Sequence, residues 1–503
     1  MMFSSTSPAA TEAFAARLSL WARPGFLILL TGDLGSGKST FARAFIRALA
    51  EGGADFDIPS PTFTLVQAYD ETRLPAFHAD LYRLKGSDEV EELGLADLLT
   101  SHVGLVEWPD RLPGPLSADV LHLAFSGNGE TREIAISADG AWAKALHRDA
   151  EIETFLGGNR PCIRHFLEGD ASARRYEWLE VADASRPIVM DMATRPDGPP
   201  VKDGKPYSAI AHLAEGLPAV VAMNTLLAAR GYSAPRILRA NLKSGLALIE
   251  NLGSKVFGKM LLAGEDITEP MLAAAEVLAD MARQDWPSSV PAGEGVVHHV
   301  APYDEEALLI EADLLPSWFW PYRHGEAPPP HINASFAKVW HSLIPHTVQA
   351  RPQWVLRDYH SPNLIWIPER KGVQRVGLID TQDAVMGHGA YDLMSMTQDA
   401  RVDIPDELAR RTVQHYLSLR SAEPGFDRQS FMTAYAVLGA QRATKILGIF
   451  ARLSKRDGKH GYLQHMPRVS RALAQNLEHP VLAELKQWYL EHLPDALAVK
   501  AGR

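Results

Sequence analysis

Short apolar runs alternate with helix-compatible stretches through the first 150 residues, the pattern of a parallel α/β sheet. Phe26 to Leu30 reads as a strand, Phe41 to Ala50 as a helix, and Ala76 to Asp80 and Val103 to Glu107 as further strands. Two more strands flank a turn at Gly127-Asn128-Gly129. From Ala138 to Glu153 the alternation gives way to a helical stretch, and the pattern then restarts. Two strand candidates between Arg164 and Val181 surround the small-residue turn Gly169 to Tyr176, and a third runs from Pro187 to Met192. Gly and Pro cluster in loops at Pro196 to Pro206 and Pro328 to Pro330.

Composition narrows this picture. A chain of 503 residues, 46% hydrophobic and 22% charged, is too long for one small fold and too apolar to be disordered throughout. The net charge of -11 opposes condensation on a phosphate backbone, so a nucleic-acid role must be local or supplied by a partner. Cys162, the single cysteine, excludes an intramolecular disulfide and a multi-thiolate metal site, and it fits a reducing compartment. The first twenty residues lack a basic segment followed by an apolar one, and Phe26 to Leu30 is too short to span a bilayer, so the expected location is cytoplasmic, with no membrane partner.

The first chemistry lies directly after the first strand. Gly32-Asp33-Leu34-Gly35-Ser36-Gly37-Lys38-Ser39-Thr40 satisfies G-x-x-x-x-G-K-[ST] and leads into a helix. The glycines let backbone N–H groups fold around phosphates, Lys38 supplies charge to the β/γ oxygens, and Ser39 can ligate Mg²⁺ at the helix N-terminus. A P-loop enzyme also needs a carboxylate at a strand end to hold Mg²⁺, for which Asp80 and Glu107 are the candidates. Trp108 reads either as core or as a ring against the nucleotide. Together with Ser60-Pro61-Thr62-Phe63 and Asp80-Leu81-Tyr82-Arg83, these motifs resemble the bacterial TsaE family over roughly residues 10 to 140. That family is the small ATPase of the machinery that makes threonylcarbamoyladenosine in tRNA. The resemblance implies nucleotide contacts along Gly32 to Thr40, a switch-like Thr62 near the metal, Mg²⁺ linkage through Ser39 and Asp80, and hydrolysis dependent on Glu107 and Trp108. It also implies TsaD/TsaB-like threonylcarbamoyl transferase subunits as partners, with tRNA held only through them.

A second chemistry appears late in the chain. Val355 to Asn363 reads V-L-R-D-Y-H-S-P-N, with Asp358 and Asn363 five positions apart, and the strand Val376 to Ile379 delivers Asp380. Kinase-type phosphoryl transfer needs a carboxylate to position the acceptor hydroxyl, and an amide plus a second carboxylate to hold Mg²⁺. Asp358, Asn363 and Asp380 meet those needs in that order. The region from about Arg160 to His479 resembles the aminoglycoside phosphotransferase-like kinases, and within them the cell-wall-recycling anomeric kinases of N-acetylmuramate and N-acetylglucosamine (AmgK type). Gly169-Asp170-Ala171-Ser172, Arg357-Asp358-Tyr359-His360, Ile379-Asp380-Thr381-Gln382-Asp383-Ala384 and Tyr391-Asp392-Leu393 carry the resemblance. It implies a bilobal fold that uses ATP and Mg²⁺, with Gly169 and Ser172 over the phosphates and adenine on the backbone at Ile249-Glu250-Asn251-Leu252. The strand Ile188-Val189-Met190-Asp191 lacks the lysine that protein kinases place there, leaving Lys202, Lys205, Arg174 or the Gly169 loop to supply the charge.

Three further features have plain readings. Trp318, Phe319, Trp320 and Tyr322 either stack on a sugar or pack in the core; the adjacent His298 and His299 find no third ligand; and the basic stretch Gln441 to Lys459 reads as a solvated helix face. The expectation is an α/β P-loop domain over 1–146, followed by a bilobal α+β protein-kinase-like domain with its N-lobe over 150–252 and helical C-lobe over 253–503. The expected functions are a TsaE-type ATPase and a sugar kinase. A docking module that keeps the kinase fold without transfer is the alternative, as is a kinase for an aminoglycoside, choline or a hydroxy amino acid.

Overall fold

A computed structural model describes residues 1–50, 57–61, 64–84, 87–127, 130–158, 162–169, 174–183, 185–193, 198–214, 216–349 and 351–498. The chain divides into two compact units, Met1–Val189 and Met190–Arg503.

The first unit is built on a seven-stranded sheet ordered β1-β7-β6-β2-β5-β4-β3. Its strands are β1 (Met2–Ser5), β2 (Leu27–Thr31), β3 (Val66–Tyr69), β4 (Ala76–Asp80), β5 (Val103–Glu107), β6 (Val120–Ser126) and β7 (Arg132–Ala138). Only the centre, β6-β2-β5-β4, is parallel; β1, β7 and β3 add to it antiparallel. The expected parallel sheet is thus a mixed one, because the short connections β3–β4 and β6–β7 are hairpins, and a crossover to a parallel neighbour needs a dozen residues or more. β4 and β5 are buried along their whole length, which explains why they read as continuous apolar runs rather than alternating ones. The parallel strands direct their C-terminal ends to one edge, so Gly32, Asp80 and Glu107 arrive together there.

The helical stretch after β7 is Gly140–Leu156, ended by Gly157 at φ 96°. It is followed by the antiparallel pair Ile163–Leu167 and Arg175–Glu180. That pair clusters with the first unit because the buried Arg164 guanidinium binds Asp149 (2.8 Å) and Glu153 (2.7 Å) on the helix and Glu177 (2.6 Å) on the neighbouring strand. The division between the units falls within the strand Ile188–Asp191.

The second unit is mainly helical, with antiparallel pairs Gln353–Val355 with Val385–Gly387 and Leu364–Trp366 with Val376–Leu378. These pairs carry the loop of Asp358 and the turn of Asp380. Two sequence readings resolve here. Phe319 and Trp320 are buried in an apolar cluster against which Trp318 packs, so these three rings are core, while Tyr322 is exposed. The basic stretch is solvated only towards its end, where Lys455, Arg456 and Lys459 are exposed; earlier in the helix Arg428–Asp457, Gln441 and Arg442 are buried and Lys445 reaches a fully buried glutamate. Glu311, on another element, draws Lys445 inward. Among the described residues no helix is long and apolar enough to cross a membrane.

Candidate functional sites

In the first unit the loop after β2 is shaped by glycine. Gly32 has φ 134°, and a Cβ there would lie 2.4 Å from the Phe125 carbonyl oxygen, so no other residue fits. Gly37 (φ 105°) opens the helix Lys38–Leu49 without any side-chain cap, leaving its first N–H groups to a ligand. Gly35 is also left-handed, Asp33 is exposed, and Thr40 lies in the helix's first turn. Lys38 Nζ donates to the Gly32 and Asp33 carbonyls at 2.7 and 2.8 Å, folding over its own loop. Ser36 Oγ is buried with no hydrogen-bond partner among the described residues. A buried orphan hydroxyl, uncapped amides and a cradle closed to any Cβ fit a phosphate chain.

Around the loop the strand ends supply charge. Asp80 and Glu107 are register partners at the ends of β4 and β5. Glu107 bonds the buried His78 Nε2 at 3.0 Å and also engages the Ser39 hydroxyl. Burial pushes the Glu107 pKa up, but the His78 and Ser39 bonds and the charge of Lys38 outweigh it and hold the carboxyl below its ordinary range. For Lys38 desolvation wins: its pKa is lowered despite Glu107, Asp80 and Asp33. Trp108 follows in a strained left-handed conformation (φ 61°) and lays its ring 4.5 Å from Lys38 Nζ. Ser39, Asp80 and Glu107 are oxygen donors suited to Mg²⁺. Thr62 lies outside the described residues.

Two residues here escape sequence reasoning. His78 orients Glu107 from the neighbouring strand, and Arg132 on β7 donates through Nε to the Ser36 carbonyl (2.7 Å), tying the hairpin to the loop. A histidine two positions before Asp80 is the only local signal for the first. Arg132 has none, since it reaches the loop through the fold.

In the second unit the Asp358 loop is held by two buried aspartates. Asp392 accepts the Leu356 and Arg357 amides at 2.7 and 2.9 Å, and Asp399 accepts the Ser361 amide at 2.8 Å and its hydroxyl. Burial drives the Asp392 pKa up to about 7 against those two bonds. Arg357 is left-handed (φ 64°) and its guanidinium is paired with the fully buried Glu311, which also binds Lys445 at 2.9 Å and accepts from Tyr303 at 2.5 Å.

Anchored this way, the loop presents Asp358 with its carboxylate free of any hydrogen bond among the described residues. Burial opposes its ionisation, but His360, Lys445, Arg442 and Arg357 hold its pKa below the ordinary range. Asn363 donates to the Asp358 carbonyl at 3.0 Å, which fixes the two residues together. Asp380, also left-handed (φ 61°), shares the Gln382 amide with Asp383 at 2.9 and 3.2 Å. Burial and the charge of Asp358 push the Asp383 pKa up, so the cluster has an excess of negative charge that a cation would relieve. Among the described residues no three His, Cys, Asp or Glu side chains close a metal cage. An amide and one or two carboxylates, completed by phosphate oxygens, are the donor set Mg²⁺ takes in kinases. Asp383 had appeared in the sequence only as a motif letter.

The nucleotide side of this unit is less defined. Glu250 is half-buried at the end of Leu246–Ile249; its amide donates to the Arg236 carbonyl at 2.9 Å and its carboxylate pairs with Arg236 and Arg370, so only main-chain groups of this segment are left for an adenine. Lys202 and Lys205 lie exposed, 3.9 Å from Glu306. Gly169 adjoins the Tyr176 ring, and Ser172 lies outside the described residues.

Comparison with known proteins finds two matches in succession, the second of which begins before the boundary between the compact units. Residues 5–134 match the family described as threonylcarbamoyl adenosine biosynthesis protein TsaE, and residues 165–430 match the phosphotransferase enzyme family. The chain is 37% identical to the tRNA threonylcarbamoyladenosine biosynthesis protein TsaE of Bacillus subtilis, covering 27% of this chain and 83% of that protein. It is 34% identical to the N-acetylmuramate/N-acetylglucosamine kinase of Caulobacter vibrioides, covering 69% of this chain and 97% of that protein. The kinase of that name from Pseudomonas aeruginosa is 30% identical, with 63% and 84% covered.

The chain belongs to both families. It joins a TsaE-family α/β P-loop unit to a phosphotransferase-family, protein-kinase-like unit, and both families are ATP-using enzymes. The docking-module alternative is the weaker reading, because the phosphotransferase-family unit is covered along nearly the full length of a kinase.

Proposed function

We propose that this protein is bifunctional: an ATPase subunit for threonylcarbamoyladenosine modification of tRNA, and an Mg²⁺-dependent kinase that phosphorylates the anomeric hydroxyl of N-acetylmuramate or N-acetylglucosamine. The observation that carries the kinase reading is the Asp358 carboxylate, without a hydrogen bond among the described residues and with its main chain fixed by Asn363, its pKa held below the ordinary range by the surrounding cations. It orients the acceptor hydroxyl and takes its proton as the oxygen attacks the γ-phosphorus. Asn363 and Asp380 would hold Mg²⁺, whose charge offsets that of the phosphates. Asp392 and Asp399 keep the loop in place.

In the TsaE-family unit, the P-loop from Gly32 to Thr40 binds the phosphates, Ser39 and Asp80 would hold Mg²⁺, and Glu107, oriented by His78, acts on the hydrolytic water. Partners of the TsaD/TsaB type and a cytoplasmic location follow from the relatives' role in tRNA modification. Domain limits at 1–146, 150–252 and 253–503 complete the proposal.

The test is sugar-dependent ADP release by the full chain. Release with either amino sugar, abolished by Asp358→Asn, supports the kinase. Release that does not respond to any amino sugar returns the second unit to the docking reading.

A further inference from the structure

The helix Arg428–Asp457 turns a cationic face toward the Asp358 loop. Gln441, Lys445 and Arg452 recur at spacings of four and seven, so they share one side of the helix. The charges near them are already matched. Arg357 and Lys445 share Glu311, and Arg442 donates to His360 Nδ1 at 3.2 Å. Arg452 is different: among the described residues its guanidinium has neither a hydrogen bond nor a carboxylate partner, and its Nε is buried. Asp457, the nearest acid on its own helix, is taken by Arg456 at 2.6 Å.

What Arg452 does meet is a ring. Its guanidinium carbon lies 5.3 Å from the centre of the Tyr207 ring. Tyr207 opens the short helix Tyr207–Ile210, and its hydroxyl also lacks a hydrogen-bond partner among the described residues. It lies in the electrostatic field of Glu311, Lys445, Arg452 and Arg357, and two of these, Lys445 and Arg357, also act on Asp358. Lys445 and Arg452 are about 10 Å apart along the helix axis at 1.5 Å per residue. That is the scale of a substituted hexose.

We infer that Arg452, with the Tyr207 hydroxyl, is an anion-recognising subsite of the acceptor site that takes a carboxylate carried on the sugar. The inference rests on the kinase reading above. An unpaired, partly desolvated guanidinium is costly until a carboxylate reaches it, and arginine's planar fork suits a carboxylate better than a hydroxyl. Burial already pulls the Arg452 pKa below its ordinary value, a penalty that a bound anion would relieve. N-acetylmuramate differs from N-acetylglucosamine by one lactyl ether ending in a carboxylate. The subsite would therefore favour the acidic sugar, while the anomeric chemistry at Asp358 serves both.

The experiment compares kcat/KM for N-acetylmuramate, its neutral methyl ester and N-acetylglucosamine, using the full chain and its Arg452→Gln, Arg452→Lys and Tyr207→Phe forms. In the unaltered protein the methyl ester should fall about 10- to 100-fold below the acid, the loss expected for one charge-assisted contact of roughly 1.5–3 kcal/mol. Arg452→Gln should reduce the preference for acid over ester by a similar factor, mainly through KM, and Arg452→Lys should recover part of it. An ester that equals the acid in the unaltered protein overturns the subsite even if the variants fail to fold. So does a variant in which acid and ester fall together. If no amino sugar is turned over by the unaltered chain, the kinase reading itself fails.

Discussion

Replacing Glu311 by Gln tests what holds the Asp358 loop to the rest of its unit. Glu311 is fully buried and paired with both Arg357 and Lys445. Burial alone would raise its pKa; Lys445 and Arg357 overcome that and pull it from 4.5 to about 2. At about 1.4 kcal/mol per pKa unit, the ionised carboxylate contributes about 3 kcal/mol. That agrees with the roughly 3–5 kcal/mol expected when one partner of a buried ion pair is removed.

The sign follows from the depressed pKa. The contribution is fully present above the unfolded value near 4.5 and is lost as pH falls through 2. Calorimetry of the full chain should show the transition of the second unit about 5 °C lower in Glu311→Gln at pH 7, from the unfolding entropy of a unit of this size. The difference should shrink to about 1.5 kcal/mol at pH 3. Adding Lys445→Met should restore stability, because it removes one of the two cations left unpaired. A loss below 1 kcal/mol at pH 7, or a loss that does not change between pH 7 and pH 3, would refute the reasoning.

Other perturbations separate the two sites and their parts. Lys38→Ala should abolish nucleotide binding at the P-loop, by calorimetric titration, while sugar phosphorylation continues. His78→Ala removes a bond that lowers the Glu107 pKa, so the acid limb of ATP turnover should move to higher pH with nucleotide affinity little changed; an unmoved limb would separate His78 from Glu107. Asp392→Ala leaves the Leu356 and Arg357 amides buried without an acceptor, at about 1–3 kcal/mol each, and should both lower the melting temperature of the second unit and suppress transfer.

Both centres could be found in the sequence because their decisive residues are close together in the chain. The P-loop is nine consecutive residues, and Asp358 and Asn363 are separated by a single turn of the catalytic loop. What surrounds them could not be found that way. Glu311 lies far upstream of Arg357, Arg132 reaches the P-loop from a strand that pairs beside it, and His78 acts across β4 and β5. The first half of the stretch Gln441 to Lys459 misled for the same reason: a cationic helix is solvated only where nothing anionic faces it, and the groups facing Lys445, Glu311 and Asp358, come from elsewhere in the chain. The hairpin around Gly127-Asn128-Gly129 could be read, but the four-residue β1 and β3 that add antiparallel to the sheet are too short to announce their direction.

The central claim is phosphoryl transfer to an anomeric oxygen, with Asp358 positioning the hydroxyl, and phosphorus NMR of the product tests it most directly. The account predicts an acid-labile sugar 1-phosphate whose phosphorus couples to the anomeric proton, formed about 10²- to 10⁴-fold more slowly by Asp358→Asn, and no reaction with the 1-O-methyl glycoside. A phosphate coupled to any other proton, or turnover of the methyl glycoside, would contradict it.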